Sequence, residues 1–199
     1  MAISQGYSTL AEVKSALRIT DSIDDSLLEM AIESASRLLD AYTARSFYNA
    51  GTASRYFVAD TDWLTNIDDA ITITEVATDT SADGTYDIIW QASDYQLEPL
   101  NGRIDGLAMP YNAIRAVGDY TFPIWGGEAL VKVTGTWGFS AVPTAIKQAT
   151  IIQASRIFKR LDSPLGVLSS PDLGFIRVGS RLDPDVAQLV DNYRIVKFA

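Results

Sequence analysis

The sequence from residue 24 to residue 45 is DDSLLEMAIESASRLLDAYTAR, and this stretch decides the helical part of the fold. Its apolar residues recur every three or four positions, which is the period of an amphipathic α-helix. Asp24 and Asp25 fall in the first turn, where the helix dipole favours negative charge. The pattern predicts a helix from about Asp21-Ser22 to about Arg45, whose core stripe consists of Leu27, Leu28, Ala31, Ile32, Ala35, Leu38, Leu39 and Tyr42.

Three further helices are predicted around this one. Thr9 and Glu12 have the spacing of a capping box, which predicts a short helix ending at about Arg18. Pro143 suits the first position of a third helix, and its apolar residues cover more than one side. Asp183-Pro184 has the residue types that begin a final helix.

The pattern changes between Ser54 and Trp137, where short β-branched and aromatic runs alternate with turn residues. The predicted fold class is therefore α+β: a small bundle of four helices with an antiparallel β module of five or six strands inserted between helices two and three. The expected division is 1–50 helical, 51–139 β insertion and 140–199 helical, together forming one domain. The predicted strands are 55–58, 70–76, 86–90, 95–97 and 130–134.

The residue types that are missing narrow the function. The 199 residues include no Cys and no His. Thiol nucleophiles, zinc knuckles, imidazole ligands and Ser-His-Asp triads are therefore excluded. We predict a protein that is not an enzyme and has no catalytic residues, metal site or cofactor.

Charge divides the chain into two unlike halves. Residues 1–100 carry 5 basic and 17 acidic residues, a net charge of −12, whereas residues 101–199 carry 11 and 8, a net charge of +3. A protein that grips DNA phosphates needs excess positive charge, so we expect no tight or sequence-specific DNA binding. The acidic half could also serve only to keep the protein soluble.

Three patterns leave other functions open. Asp79-Thr80-Ser81-Ala82-Asp83-Gly84 matches the start of a calcium loop, but Trp90 stands where a bidentate carboxylate is needed, and a β-turn explains the residues equally well. The pairs Asp24-Asp25 and Asp68-Asp69 leave a carboxylate-based hydrolase as the lesser alternative. The principal alternative is a ligand-binding β module on a helical support, with its platform drawn from Trp63, Trp90, Trp125 and Trp137.

The segment from Asp162 to Leu182 is long for a connection between two helices. It is also too apolar for a free linker, so it packs either on its own β module or on a partner.

No apolar run is long enough to cross a membrane, and the first six residues lack the features of a secretory signal. We therefore expect a soluble protein made in the cytoplasm, with no membrane partner.

The order of these elements resembles that of bacteriophage head-to-tail connector proteins, also called adaptor or head-completion proteins. The resemblance rests on YSTLAEVKSALRI at 7–19 with the helix that follows, on DYQLEPLNGR at 94–103, on TGTWG at 134–138 before VPTAIKQA at 142–149, and on DPDVA at 183–187. It implies a structural virion protein at the capsid–tail junction. In this family the subunits form a ring, typically dodecameric, beneath the portal; the ring extends the DNA channel and offers a surface to the next neck or tail completion protein.

Two contact surfaces are predicted within that frame. The broad apolar cover of the third helix predicts an intersubunit helix through Ile146, Ile151, Ile157 and Phe158. The apolar segment and the closing helix predict a portal or intersubunit contact through Phe175, Ile176, Arg177, Arg181 and Arg194, in which the arginines meet acidic surface on the partner.

Overall fold

A computed structural model of the chain describes residues 5–161, 167–170, 174–177 and 182–195. Contacts between residues divide the chain into two compact units. The helical unit contains the described residues of 1–47 and 142–199, and the β unit contains residues 48–141. Across the described residues, no helix is long and apolar enough to cross a lipid bilayer.

Four α-helices are present in the described part of the helical unit. They are α1 (Leu10–Leu17), α2 (Asp25–Thr43), α3 (Thr144–Leu161) and α4 (Pro184–Val190). The predicted capping box begins α1: the Thr9 hydroxyl accepts from the Glu12 amide at 3.2 Å, and the Glu12 carboxylate accepts from the Thr9 amide at 2.8 Å. Asp183 caps α4 by accepting from the Asp185 amide at 2.9 Å. The predicted α+β class is confirmed.

Helix α2 begins at Asp25, three to four residues later than predicted. The Asp21 carboxylate accepts a hydrogen bond from the Ile23 amide at 3.1 Å, which makes a local turn before the helix. Aspartate offers the backbone this alternative to a helical hydrogen bond, so an acidic run does not by itself locate the first helical residue.

The core of the helical unit joins three helices. Its buried residues come from α1, α2 and α3 and are Val13, Leu28, Ala31, Ile32, Ala35 and Ala154. Leu10, Leu17 and Ile19 pack on this cluster from the N-terminal side. The small alanine side chains favour close approach of α2 and α3, which contact each other in the structure.

The β unit is built on one antiparallel sheet of six strands in the order β1-β8-β2-β7-β4, with β3 paired to the end of β2. The strands are β1 (Asn49–Phe57), β2 (Leu64–Thr78), β3 (Ile88–Ile89), β4 (Tyr95–Glu98), β7 (Tyr111–Ala116) and β8 (Val131–Gly138). Five of these overlap predicted strands. Strand β7 was not predicted, although it pairs with both β2 and β4.

Two of the four tryptophans belong to the core of the β unit. Trp90 stacks on Phe122 with 4.6 Å between ring centroids, and its indole donates to the Thr78 hydroxyl at 3.1 Å. Trp137 is buried and donates to the Ala53 carbonyl at 2.8 Å. Both side chains thus satisfy their single polar atom while filling the core.

The structure also describes two short hairpins and two 3-10 helices, Leu100–Gly102 and Asp191–Tyr193. The first hairpin lies in the β unit and joins β5 (Arg103–Ile104) to β6 (Leu107–Ala108). The second hairpin joins β9 (Val167–Ser170) to β10 (Gly174–Arg177), inside the long segment between α3 and α4. That segment therefore contains regular structure where the sequence predicted only an apolar connection.

Candidate contact surfaces for neighbouring subunits

The four apolar residues predicted to lie between subunits all belong to α3. Ile146 is completely buried within the chain. Ile151, Ile157 and Phe158 are half-buried and pack against the core of the helical unit. Helix α3 contacts α1, α2 and α4, which accounts for the breadth of its apolar cover within one chain. Contact of these residues with a neighbouring subunit stays a prediction, and Ile146 has no free surface to offer.

The second predicted surface is only partly described. Phe175, Ile176 and Arg177 lie in β10, where their Cα partners in β9 are Ser169, Leu168 and Val167. The side chains of these residues, and Arg181 altogether, lie outside the described residues. Backbone pairing therefore places three of the predicted contact residues on one strand of a hairpin.

Arg194 lies at the C-terminal side of the helical unit and is exposed. Its guanidinium is 5.2 Å from the centroid of the Tyr42 ring, and the Tyr42 hydroxyl donates to the Asp191 carboxylate at 2.6 Å. The hydrogen bond to Asp191 is the main reason why the pKa of Tyr42 is raised. Arg194 is thus positioned by a cation–π contact and keeps its charge at the surface.

Sequence reasoning missed an apolar surface on α2. Leu27, Met30 and Leu38 are exposed, although Leu27 and Leu38 were predicted to face the core. With the exposed small residues Ser34 and Ala41 they follow the turns of the helix along one side, and we call these five residues the outer stripe. Ile23 continues the outer stripe just before the helix and is 84% exposed.

The pairs Leu27-Leu28 and Leu38-Leu39 could have revealed this surface from the sequence. Successive residues of a helix point about 100° apart, so one member of such a pair can face the core while the other faces away from it. In the structure Leu28 and Leu39 are buried, and their neighbours are exposed. Helix α2 therefore has two apolar sides, of which the described residues of this chain cover one.

The calcium-like loop of the β unit has a structural explanation. The Asp79 carboxylate, which is buried, accepts hydrogen bonds from the amides of Ser81 at 3.1 Å and Gly84 at 2.7 Å. Burial acts to raise the pKa of Asp79, but the backbone hydrogen bonds outweigh it and the pKa is lowered. The carboxylate closes a turn, as the alternative interpretation of these residues required.

One aspartate of each acidic pair forms an ion pair. The Asp25 carboxylate lies 2.5 Å from the Lys14 ammonium, and the Asp68 carboxylate lies 2.6 Å from the Arg55 guanidinium. Within the described residues, no three His, Cys, Asp or Glu side chains form a group that could hold a metal ion. The surroundings of these carboxylates are those of surface salt bridges.

Exposed aromatic side chains remain at Trp63 and Trp125 of the β unit. The Arg115 guanidinium covers Trp63 at 4.5 Å from the ring centroid, and the carboxylate of Glu98 in turn pairs with Arg115 at 2.5 Å. One face of Trp63 is therefore already occupied, which leaves less of an aromatic platform than the sequence alone allowed.

Comparison with known proteins bears on both the N-terminal region and the whole fold. A model of the phage gp6-like head-tail connector protein family matches residues 7–79. These residues contain α1, α2, β1 and β2. The match therefore covers the first two helices and the first two strands of the chain. The resemblance stated from the sequence is confirmed over these residues.

Two solved structures share the fold of the whole chain. One is a chain of the "Neck of empty GTA particle computed with C6 symmetry", with a TM-score of 0.57 and 17% identity over 100% of this chain and 95% of that chain. The other is a chain of the "Neck of native GTA particle computed with C12 symmetry", with a TM-score of 0.57 and 18% identity over 100% of this chain and 94% of that chain. At this identity the likeness establishes the fold. No curated protein sequence matches the chain.

Proposed function

We propose that this chain is a head-tail connector that forms a homo-oligomeric ring of twelve subunits beneath the portal of a phage-like particle. The observation that carries the proposal is the fold match over the full chain to neck proteins of particles computed with C6 and C12 symmetry. A ring of twelve identical subunits satisfies both symmetries. The ring would connect the capsid to the tail at the virion neck, with the portal above it and a neck or tail completion protein below.

The charge of the chain supports a passive DNA channel. The net charge is −9, and a wall that repels phosphate lets DNA pass without sticking. A structural ring needs no catalytic group, and the ion pairs of Asp25 and Asp68 and the hydrogen bonds of the Asp79 carboxylate fit that role. We therefore propose no enzymatic activity, no metal or cofactor, and no sequence-specific binding of DNA.

The ring is tested by mixing the purified full-length protein with the purified portal protein of the same particle. Native mass spectrometry is expected to show a cyclic complex with twelve copies of this chain on the portal. The free protein can stay monomeric, because the portal acts as the template that gathers the subunits. A chain that remains a monomer when the portal is present would contradict the proposal.

We further propose that the β9–β10 hairpin and Arg194 contribute the portal or intersubunit contact. Among the described strands, β9 and β10 pair only with each other, and an isolated two-stranded hairpin is marginally stable in water. A partner surface would complete it, with Phe175 and Ile176 as apolar anchors. Arg177, Arg181 and Arg194 would face acidic surface such as the −12 half of the next subunit.

The double substitution Phe175→Ser with Ile176→Ser tests this contact. We expect thermal unfolding unchanged from the wild type and portal binding weakened at least about tenfold, because interface energy concentrates in a few large anchors. Binding is measured by surface plasmon resonance on immobilised portal. Unchanged binding contradicts the proposal, and loss of folding would show that the hairpin belongs to the core of its own chain.

A further inference from the structure

The outer stripe of α2 is an apolar surface without a partner in the described part of the chain. Met30 is 55% exposed and Leu38 is 46% exposed, on a helix whose opposite side is completely buried. Ser34 lies between Met30 and Leu38, and Ala41 follows Leu38. These small residues leave room for the side chains of a facing helix. A helix that is apolar on two sides is normally buried on both.

Cyclic symmetry limits what can cover this surface. In a ring of more than two subunits, each interface joins one surface of a subunit to a different surface of the next. The outer stripe therefore requires a second surface, elsewhere on the same chain, that is complementary to it in shape and charge.

Helix α3 has the complementary charge. Helix α2 contains four acidic residues and one basic residue, whereas α3 contains four basic residues and no acidic residue. Within the chain, Lys147 pairs with Glu12 at 2.9 Å and Arg156 pairs with Asp183. Lys159 and Arg160 are exposed at the last turn of α3, where they are available to a neighbour.

Helix α3 also has an outward row of suitable residues. Gln148, Ile152, Ser155 and Lys159 recur at helical spacing and are exposed or half-buried. Ile152 and Ser155 give this row one apolar side chain beside one small side chain. A row of that kind can receive the large residues of a facing helix.

We propose that the outer stripe of α2 in one subunit packs on the outward row of α3 in the next subunit of the ring. The apolar side chains supply the contact, and the basic end of α3 fixes the direction by facing the acidic α2. This inference rests on the proposed ring, and it identifies the surfaces that build it.

Two full-length variants test the inference. The stripe variant carries Met30→Gln with Leu38→Gln, since glutamine keeps helix propensity while removing the exposed apolar surface. The row variant carries Lys159→Glu with Arg160→Glu, which reverses the charge of the exposed end of α3. The matched control carries Ile88→Thr with Ile89→Thr in β3, where side chains 40% and 57% exposed are made polar without altering either helix.

Ring yield is measured by native mass spectrometry on portal, after circular dichroism has shown wild-type thermal unfolding for every variant. The stripe and row variants are each expected to give at least tenfold fewer rings than the wild type, and the control is expected to match the wild type. An equimolar mixture of the stripe and row variants is expected to form mixed dimers but no rings. Each mixed pair can form one interface, from the intact stripe of one chain and the intact row of the other, but the ring cannot close.

Wild-type ring yield in the stripe variant overturns the inference and leaves the proposed ring standing. If the stripe variant instead forms rings at high concentration without binding portal, the outer stripe is a portal contact. This result also overturns the inference and leaves the proposed ring standing. If the row variant forms stable dimers by itself, the outer stripes of two subunits pack on each other. That result would also overturn the inference. If the wild type forms no ring on portal, the proposed function fails and this inference with it.

Discussion

The substitution Gly138→Ala is expected to unfold the β unit or to destabilise it by about 4 kcal/mol or more. Gly138 is the last residue of β8 and has a φ of +96°, a backbone conformation that residues other than glycine rarely adopt. A Cβ at this position would lie 2.0 Å from the Tyr48 carbonyl oxygen. That carbonyl is held in place because it accepts a hydrogen bond from the Phe139 amide at 3.3 Å.

Two other glycines of the same sheet separate the causes. Gly51 has φ of +80° but open space around its Cβ position, so Gly51→Ala is expected to cost only about 1 kcal/mol. Gly135 has no positive φ, but its Cβ would lie 2.3 Å from the Thr72 carbonyl oxygen, so Gly135→Ala tests crowding alone. Stability is measured by urea denaturation followed by circular dichroism. A Gly138→Ala protein as stable as Gly51→Ala would contradict the argument.

The sequence predicted the first residues of α1 and α4 better than it predicted which side of α2 is buried. The Thr9–Glu12 capping box and the Asp183 cap are local, because each depends on residues within three positions, and both are present. Which side of α2 is buried depends on where α1 and α3 lie, and this is set by packing between distant segments. The periodicity could show that Leu27 and Leu28 are both apolar, but it placed both of them in the core.

Strand β7 shows the corresponding limit for the β unit. Its residues YNAIRA include Asn, Ala and Arg, which have low β propensity, so the segment resembles a loop. It forms a strand because β2 and β4 pair with it from both sides. Tertiary pairing overrides weak local preference most readily in the interior of a sheet.

The contact surfaces could be predicted only in part from the sequence, because packing between distant segments decides which apolar residues stay exposed. The apolar cover of α3 was recognised, but it is shared among α1, α2 and α4 of the same chain. An apolar residue on a helix does not reveal whether its neighbour is in the same chain or another one. Exposure in the folded chain makes that distinction, and it draws attention to Met30 and Leu38 on α2.

The substitution Tyr7→Phe is expected to destabilise the helical unit by about 2 to 3 kcal/mol at pH 7. Tyr7 is buried, and its ring packs edge-on against Phe47 at 5.6 Å between centroids. Its hydroxyl donates to the Asp40 carboxylate and accepts from the Phe47 amide, the latter at 2.9 Å. Phenylalanine keeps the ring and removes both hydrogen bonds. Tyr42→Phe is the matched control, because the exposed Tyr42 hydroxyl also donates to an aspartate, at 2.6 Å, and its loss should cost clearly less than the loss of the Tyr7 hydroxyl.

The pH dependence of this loss identifies its cause. Burial raises the pKa of Asp40, while the Tyr7 hydroxyl and Arg37 act in the opposite direction. Removing the hydroxyl should raise the pKa of Asp40 in the folded state still further above its unfolded value.

A carboxyl whose folded pKa is raised binds protons more tightly in the folded state, so its ionisation costs stability at neutral pH and protonation relieves that cost. The stability difference between Tyr7→Phe and the wild type, followed by urea denaturation from pH 7 towards acid, should therefore shrink as the pH falls through the raised pKa. A difference that stays constant over that range would mean that the Tyr7 hydroxyl acts only by accepting the hydrogen bond from the Phe47 amide and that Asp40 has no part in it.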